Sequence, residues 1–230
     1  MLFRQLFDPV SSTFTYLLAP RPGGEALLID PVQDRVPQYL ELIHELDLKL
    51  MMAVDTHIHA DHVTGSGELQ RATECATAMG EKTKAECLSL RFREGDVLKA
   101  GDLRLTAIYT PGHTDDSYSL LMDDRVFTGD TLLIRGTGRT DFQNGDPGAQ
   151  YDSLFEKLLV LPEETLVYPA HDYEGRTCSS IGEERRFNPR LQVTSRRQYI
   201  DQMKALKLDP PRLIDVAVPA NLGCGIRMVA

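Results

Sequence analysis

Thr56-His57-Ile58-His59-Ala60-Asp61-His62 is the stretch on which the reading of this chain turns. Three of the six histidines fall inside six residues, with a carboxylate among them. The run before it, Leu48-Lys49-Leu50-Met51-Met52-Ala53-Val54, is hydrophobic and stops at Asp55. That order predicts a buried strand delivering a polar cluster at its C-terminal edge, where open α/β folds carry their chemistry. Imidazoles and a carboxylate packed this tightly are costly to desolvate unless something positive holds them together. A capping network at a helix start, with Asp61 serving backbone donors, is the plainer alternative. The stretch reads as a metal site.

The same grammar recurs downstream. Leu103 to Tyr109 alternates at strand period and ends at Thr110-Pro111-Gly112-His113-Thr114. Ser117 to Met122, an Asp123-Asp124 turn and Arg125-Val126-Phe127-Thr128-Gly129-Asp130 predict a hairpin that delivers Asp130. Thr165 to Tyr168 is a short strand ending in Pro169-Ala170-His171-Asp172-Tyr173. The ligand candidates are therefore His57, His59, Asp61, His62, His113, Asp130 and His171. Taken singly, a histidine beside a proline need not bind anything, and Asp130 after Thr128-Gly129 could cap a turn. Their joint occurrence favours a metal. All are nitrogen or oxygen donors, which suits zinc, iron or manganese and disfavours Cu(I). The residues alone leave two centres open. One is a pair of ions bridged by Asp130 and activating a hydroxide. The other is a triad of two histidines and a carboxylate around Fe(II), with free positions for substrate and dioxygen.

Around these strand ends the chain predicts two sheets. Leu2 to Leu6 and Thr13 to Leu18 read as antiparallel strands, and a turn at Pro20-Arg21-Pro22-Gly23-Gly24 returns the chain as Glu25 to Asp30. Val36, Leu40, Ile43 and Leu46 recur at helical spacing, with Pro37 in the first turn. His44 falls in this helix as a surface or boundary residue. Further helices are expected from Thr64 to about Thr77, over 151–160 and over about 194–206, before a tail rich in Pro and Gly. The expected arrangement is α/β, a sandwich of two sheets with helices outside, bringing the ligand-bearing strand ends together along one edge.

Bulk properties exclude several classes. With 42% hydrophobic and 26% charged residues the composition is that of a globular protein. A net charge of -9 argues against a nucleic-acid partner, which needs a basic footprint. No apolar run approaches the roughly 20 residues of a membrane span. The cytoplasm is the default expectation, and a mitochondrial matrix protein with its targeting peptide trimmed would read the same. Cys75, Cys87, Cys178 and Cys224 make no zinc-ribbon spacing, and Cys75 and Cys87 are expected to be reduced thiols without a chemical role.

Thr-His-Ile-His-Ala-Asp-His at 56–62, Pro-Gly-His-Thr at 111–114, Thr-Gly-Asp-Thr at 128–131 and Pro-Ala-His-Asp-Tyr at 169–173 resemble the metallo-β-lactamase superfamily. The resemblance implies the αββα sandwich of two mixed sheets. It also implies one domain over 1–230, in which 176–230 is a short C-terminal extension packed on the rest. A narrower resemblance comes from Arg135-Gly136-Thr137-Gly138-Arg139-Thr140-Asp141-Phe142-Gln143 and the tail Pro219-Ala220-Asn221-Leu222-Gly223-Cys224-Gly225. Together they are similar to the persulfide (sulfur) dioxygenases. These oxidise glutathione persulfide with dioxygen and water to sulfite and glutathione in sulfide detoxification. The nearest related group is the glyoxalase II thioesterases, with a dinuclear centre and a longer helical C-terminal region. Only 59 residues follow His171 here.

This second resemblance implies one Fe(II) per chain on His57, His113 and Asp130, with His59, Asp61, His62 and His171 around it, orienting ligands and tuning the ion. Two imidazoles and one carboxylate leave up to three octahedral positions, enough for a persulfide sulfur and dioxygen together. Glutathione is anionic, so cationic or donor groups are needed nearby. Arg139, Arg176 and Tyr173 are the substrate-binding candidates, Tyr173 also as a catalytic donor. Arg139 could instead fix its own loop through Asp141, and Arg176 could be a surface residue. Cys224 lies in the tail motif but is no ligand by spacing. A homodimer and a functional link to a rhodanese-type sulfurtransferase complete what the resemblance implies.

Overall fold

The computed structural model describes residues 1–211 and 213–226. The chain divides into two compact units. One comprises Met1–Phe92, Val97–Arg104 and the described residues from Pro210 onward, and the other Arg93–Asp96 and Leu105–Asp209.

The first unit is built on strands β1 (Leu2–Asp8), β2 (Thr13–Ala19), β3 (Glu25–Ile29), β4 (Lys49–Val54), β5 (Ala76–Gly80) and β6 (Leu90–Phe92), which lie in that order in one sheet. β1, β2 and β3 pair antiparallel, while β3, β4, β5 and β6 pair parallel. The parallel half is where strand ends can deliver several loops to one edge. β2 is buried along its whole length, which fits a sequence of aromatic, aliphatic and threonine residues. Helix α1 (Val36–Glu45) starts with Pro37 in its first turn and buries Val36, Tyr39 and Ile43. These pack with Leu17, Leu28 and Ala53 of the sheet. Full burial of an aliphatic side chain of this kind stabilises by about 1.5–3 kcal/mol. Helix α2 (Ser66–Thr73) is shorter than its sequence suggests. Glu74 adopts a left-handed conformation at φ 61° and ends it, and Ala76 to Gly80 then joins the sheet as β5.

The second sheet runs β12-β11-β10-β9-β8-β7, with β7 (Val97–Ala100), β8 (Leu103–Tyr109), β9 (Tyr118–Leu121), β10 (Arg125–Gly129), β11 (Leu166–Pro169) and β12 (Ser179–Ser180). β8, β9 and β10 form an antiparallel meander, as the hairpin signals predict, and β11 joins β10 in parallel. Helix α3 (Pro147–Asp152) is capped by Asp146, whose carboxylate accepts the Ala149 N–H at 2.7 Å, and continues as a π-helical turn over Ser153–Leu158. Helices α4 (Ile181–Phe187) and α5 (Arg196–Lys204) start at the serine caps Ser180 and Ser195. Leu154, Leu158, Val167, Ile181, Tyr199 and Met203 form the core of this unit.

The tail rich in Pro and Gly contains helix α6 (Ile214–Leu222) with Pro219 inside it. One missing amide donor in a nine-residue helix leaves the remaining turns intact. Cys87 is not a reduced thiol: it is joined to Cys224 by a disulfide across 137 positions. Cys75, as expected, is free and buried.

Candidate functional site

In the first unit β4 ends at Val54, and its neighbours β3 and β5 run parallel to it. The chain then leaves the sheet as the loop Asp55 to His62. Burying this loop leaves its polar groups in need of partners, and two carboxylates supply them. Asp30, just past β3, accepts the Thr56 N–H at 2.7 Å and the Thr56 hydroxyl at 3.0 Å. The same carboxylate lies 3.1 Å from Nε2 of His59. Asp55 accepts the hydroxyls of Thr64 at 2.8 Å and Ser66 at 2.6 Å. The Thr56 hydroxyl is also 3.0 Å from Nδ1 of His57.

His57, His59 and His62 are all buried, with successive ring centroids 4.1 and 4.3 Å apart. His62 places Nδ1 2.9 Å from Asp61, and the Thr13 hydroxyl reaches that carboxylate at 3.1 Å. One donor atom from each of His59, Asp61 and His62 fits within 4.8 Å of the others, and the same holds for Asp30, Asp55 and His59. Burial alone would depress the His59 imidazole, but the Asp30 carboxylate overrides it, with Asp61 and Asp55 adding to it. In the metal-free protein it is pushed up to about 9. Burial pushes the Asp55 carboxyl up, against the pull of His59 and its two hydroxyl donors.

In the second unit three strand ends converge. His113 follows β8, Asp130 follows β10 and His171 follows β11. Because β10 and β11 are parallel neighbours, with the Ala170 N–H bonded to the Gly129 carbonyl at 2.9 Å, Asp130 and His171 leave the sheet side by side. Nδ1 of His171 lies 2.7 Å from Oδ1 of Asp130. Oδ2 of the same carboxylate is 3.5 Å from Nε2 of His113. The other ring nitrogen of His113, Nδ1, donates to the Arg139 carbonyl at 2.7 Å, which leaves Nε2 as the nitrogen aimed at the carboxylate. Gly138 makes this arrangement possible. Its N–H bonds the Asp130 carbonyl at 2.8 Å, and a Cβ there would lie 2.1 Å from that oxygen and 2.9 Å from the His113 ring.

Of the substrate-binding candidates, Arg139 has its guanidinium on Asp141 at 2.7 and 2.8 Å and on the carbonyls of Asp209 and Leu208. Arg176 is exposed and paired with Glu174. The Tyr173 ring lies nearly parallel to that of His171, centroids 6.1 Å apart, and is 70% exposed. His44 is an exposed helix residue, as expected. Sequence reasoning missed Asp30, Asp55, Gly138 and Asn221. Asp30 carries a usable signal, a carboxylate at the end of the hydrophobic strand Glu25 to Ile29.

Residues 8–171 match the family model of the metallo-beta-lactamase superfamily. The human protein named persulfide dioxygenase ETHE1, mitochondrial, is 45% identical over 229 residues, covering 99% of this chain and 90% of its own length. The crystal structure of ETHE1 from Myxococcus xanthus superposes with a TM-score of 0.96 at 52% identity, covering 98% of this chain and all of that one. A structure of TTHA1623 in a di-iron-bound form is more distant, at 26% identity and a TM-score of 0.66, covering 82% of this chain and 99% of its own. The fold is the metallo-β-lactamase fold, α/β with two mixed sheets and helices. The chain belongs to the metallo-β-lactamase superfamily and, within it, to the family of the persulfide dioxygenase ETHE1.

Proposed function

We propose that the chain is a persulfide dioxygenase that converts glutathione persulfide, dioxygen and water to sulfite and glutathione, with one Fe(II) held by His57, His113 and Asp130. The observation that carries this reading is the 45% identity over 99% of the chain to a protein of that name. It favours an oxidoreductase over a glyoxalase II-like thioesterase.

The donor set fits the ion. In the second unit an imidazole nitrogen of His113 and a carboxylate oxygen of Asp130 lie 3.5 Å apart, near enough that both could hold one ion. Each is held from behind, His113 by the Arg139 carbonyl and Asp130 by His171. In the first unit the Thr56 hydroxyl lies 3.0 Å from Nδ1 of His57, an arrangement in which Nε2 would be the nitrogen that holds the metal. When bound, Fe(II) would supply the redox chemistry that joins a sulfur anion to dioxygen.

The chain's own residues orient and recognise. His59, Asp61 and His62 lie in the ligand loop beside His57 and fix its polar face, and His171 sets the direction of Asp130. The exposed phenol of Tyr173 stands over the His171 ring, where it can donate to a bound sulfur or oxygen. Arg176 is the cation for a glutathione carboxylate, exchanging its exposed Glu174 partner for substrate. Arg139 serves the site through its backbone, since its guanidinium anchors the loop whose carbonyl orients His113. The same reading includes a homodimer and a rhodanese-type sulfurtransferase as source of the persulfide.

The test is oxygen uptake with glutathione persulfide, with metal content measured on the same sample. Uptake at near one iron per chain supports the reading. Absence of uptake by iron-loaded protein, or activity that tracks two ions per chain, overturns it.

A further inference from the structure

Helix α6 reaches back to the histidine loop of its own unit. Asn221 is buried, and its Nδ2 donates to the carbonyls of both His59 and His62 at 2.9 Å. Its Oδ1 accepts the Thr64 N–H at 2.8 Å. Three backbone groups of one irregular loop therefore end on a single side chain. A carboxamide offers both the donors and the acceptor this needs.

The surrounding contacts are equally close. Val218 packs against Ile58, the residue between His57 and His59, together with Met79 and Ala85. The Gly67 N–H donates to the Cys224 carbonyl at 3.0 Å, and Gln33 donates to the Gly225 carbonyl at 2.8 Å. Gly225, at φ +74°, sits so near the loop that a Cβ would lie 2.0 Å from the Thr64 carbonyl. Cys224 is then tied by the disulfide to Cys87, between β5 and β6.

We propose that residues 214–226 are a strut that positions the ligand loop through Asn221, and that the Cys87–Cys224 disulfide is its redox-controlled clasp. A low-molecular-weight thiol, the class of product this reaction releases, is the reductant. Cys87 is only half-buried and Cys224 is buried, so the thiolate attacks Sγ of Cys87 and expels the Cys224 thiolate. A second thiol resolves the mixed disulfide. The Cys87–Cys224 bond breaks and one bond forms between two small thiols. Two electrons and two protons pass from them to the protein cysteines. The clasp and strut rest on the ligand role proposed for the loop, but they are tested in metal-free protein, so their failure is distinct from failure of the iron assignment.

The full chain is prepared without thiol, stripped of metal, and compared before and after treatment with dithiothreitol. Before treatment Cys178, which is exposed and free, alkylates while Cys87 does not. Reduction raises amide exchange in peptides covering 57–64 and 214–226 several-fold and leaves β9 and β10 unchanged. Cys87→Ser, or Cys87→Ala if the serine variant folds poorly, shows the faster exchange with or without dithiothreitol. Asn221→Asp keeps the size and the acceptor but loses both donors. It is expected to speed exchange at 57–64 and to weaken Co(II) binding, read by chelator competition, roughly tenfold to a hundredfold. Alkylation of Cys87 as complete as that of Cys178 overturns the clasp. Unchanged exchange at 57–64 on reduction overturns the clasp as a control on the loop, and unchanged exchange and Co(II) affinity in Asn221→Asp overturn the strut.

Discussion

His171 and Asp130 are joined at 2.7 Å, Nδ1 to Oδ1, so that one carboxylate oxygen is engaged by protein while the other faces His113. A carboxylate held at one oxygen presents the second in a fixed direction, which is the function of a hydrogen-bonded partner behind a metal ligand. His171→Ala is expected to lower metal affinity roughly tenfold to a hundredfold, measured by chelator competition, with oxygen uptake falling in parallel. Unchanged affinity would show that the bond does not orient Asp130.

Gly138 carries a second prediction. A methyl group there must displace either the Asp130 carbonyl or the His113 ring, and backbone cannot swing aside as a flexible side chain can. Gly138→Ala should therefore lose at least about tenfold in metal affinity while the core of its unit stays folded, as read by far-UV circular dichroism. Full metal retention would mean that the loop relaxes freely.

Asp30 is buried at φ 51° and accepts from Thr56 twice, with His59 beside it. Asp30→Ala leaves those donors without an acceptor and is expected to cost about 3–5 kcal/mol in urea unfolding of the metal-free protein. A loss under about 1 kcal/mol would contradict the central place given to this carboxylate.

Asp8 links the start of the chain to the same loop. Its carboxylate accepts the Ser11 N–H at 2.8 Å, the Ser11 hydroxyl at 2.7 Å and the Arg35 guanidinium at 2.8 Å. The turn so fixed leads into Thr13, which reaches Asp61. Burial pushes the Asp8 carboxyl up, but the Ser11 bonds and Arg35 outweigh it and hold it below its ordinary value of 3.8. A depressed folded value gives stability that is present above the unfolded value and lost as pH falls through the folded one. Asp8→Asn should destabilise by about 1–2 kcal/mol near pH 7, and the difference from the parent should shrink below about pH 4. Equal differences at pH 7 and pH 3 in urea titrations would refute the linkage.

The strand ends that carry the candidate ligands are legible because each obeys a local rule: a hydrophobic run, a strand end, then a polar residue. His113, Asp130 and His171 all follow strands that form where the sequence predicts them. What escaped was set by long-range pairing. The sequence carries the helix to about Thr77, but Ala76, Thr77 and Ala78 pair with β4 instead. The Cys87–Cys224 bond joins positions 137 apart, and sequence spacing holds no record of such a closure. Asn221 stood in a familiar motif without a visible use, because its partners are backbone atoms about 160 positions away.

Placing Asp130 and His171 after adjacent parallel strands makes their spacing a property of the sheet ladder rather than of the chain that connects them. Insertions in the Glu163-Glu164 turn should therefore be tolerated without disturbing the pair. A slip of β11 along β10 would instead break it outright, so natural variation in this part of the molecule should be tolerated in the connection and excluded from the register.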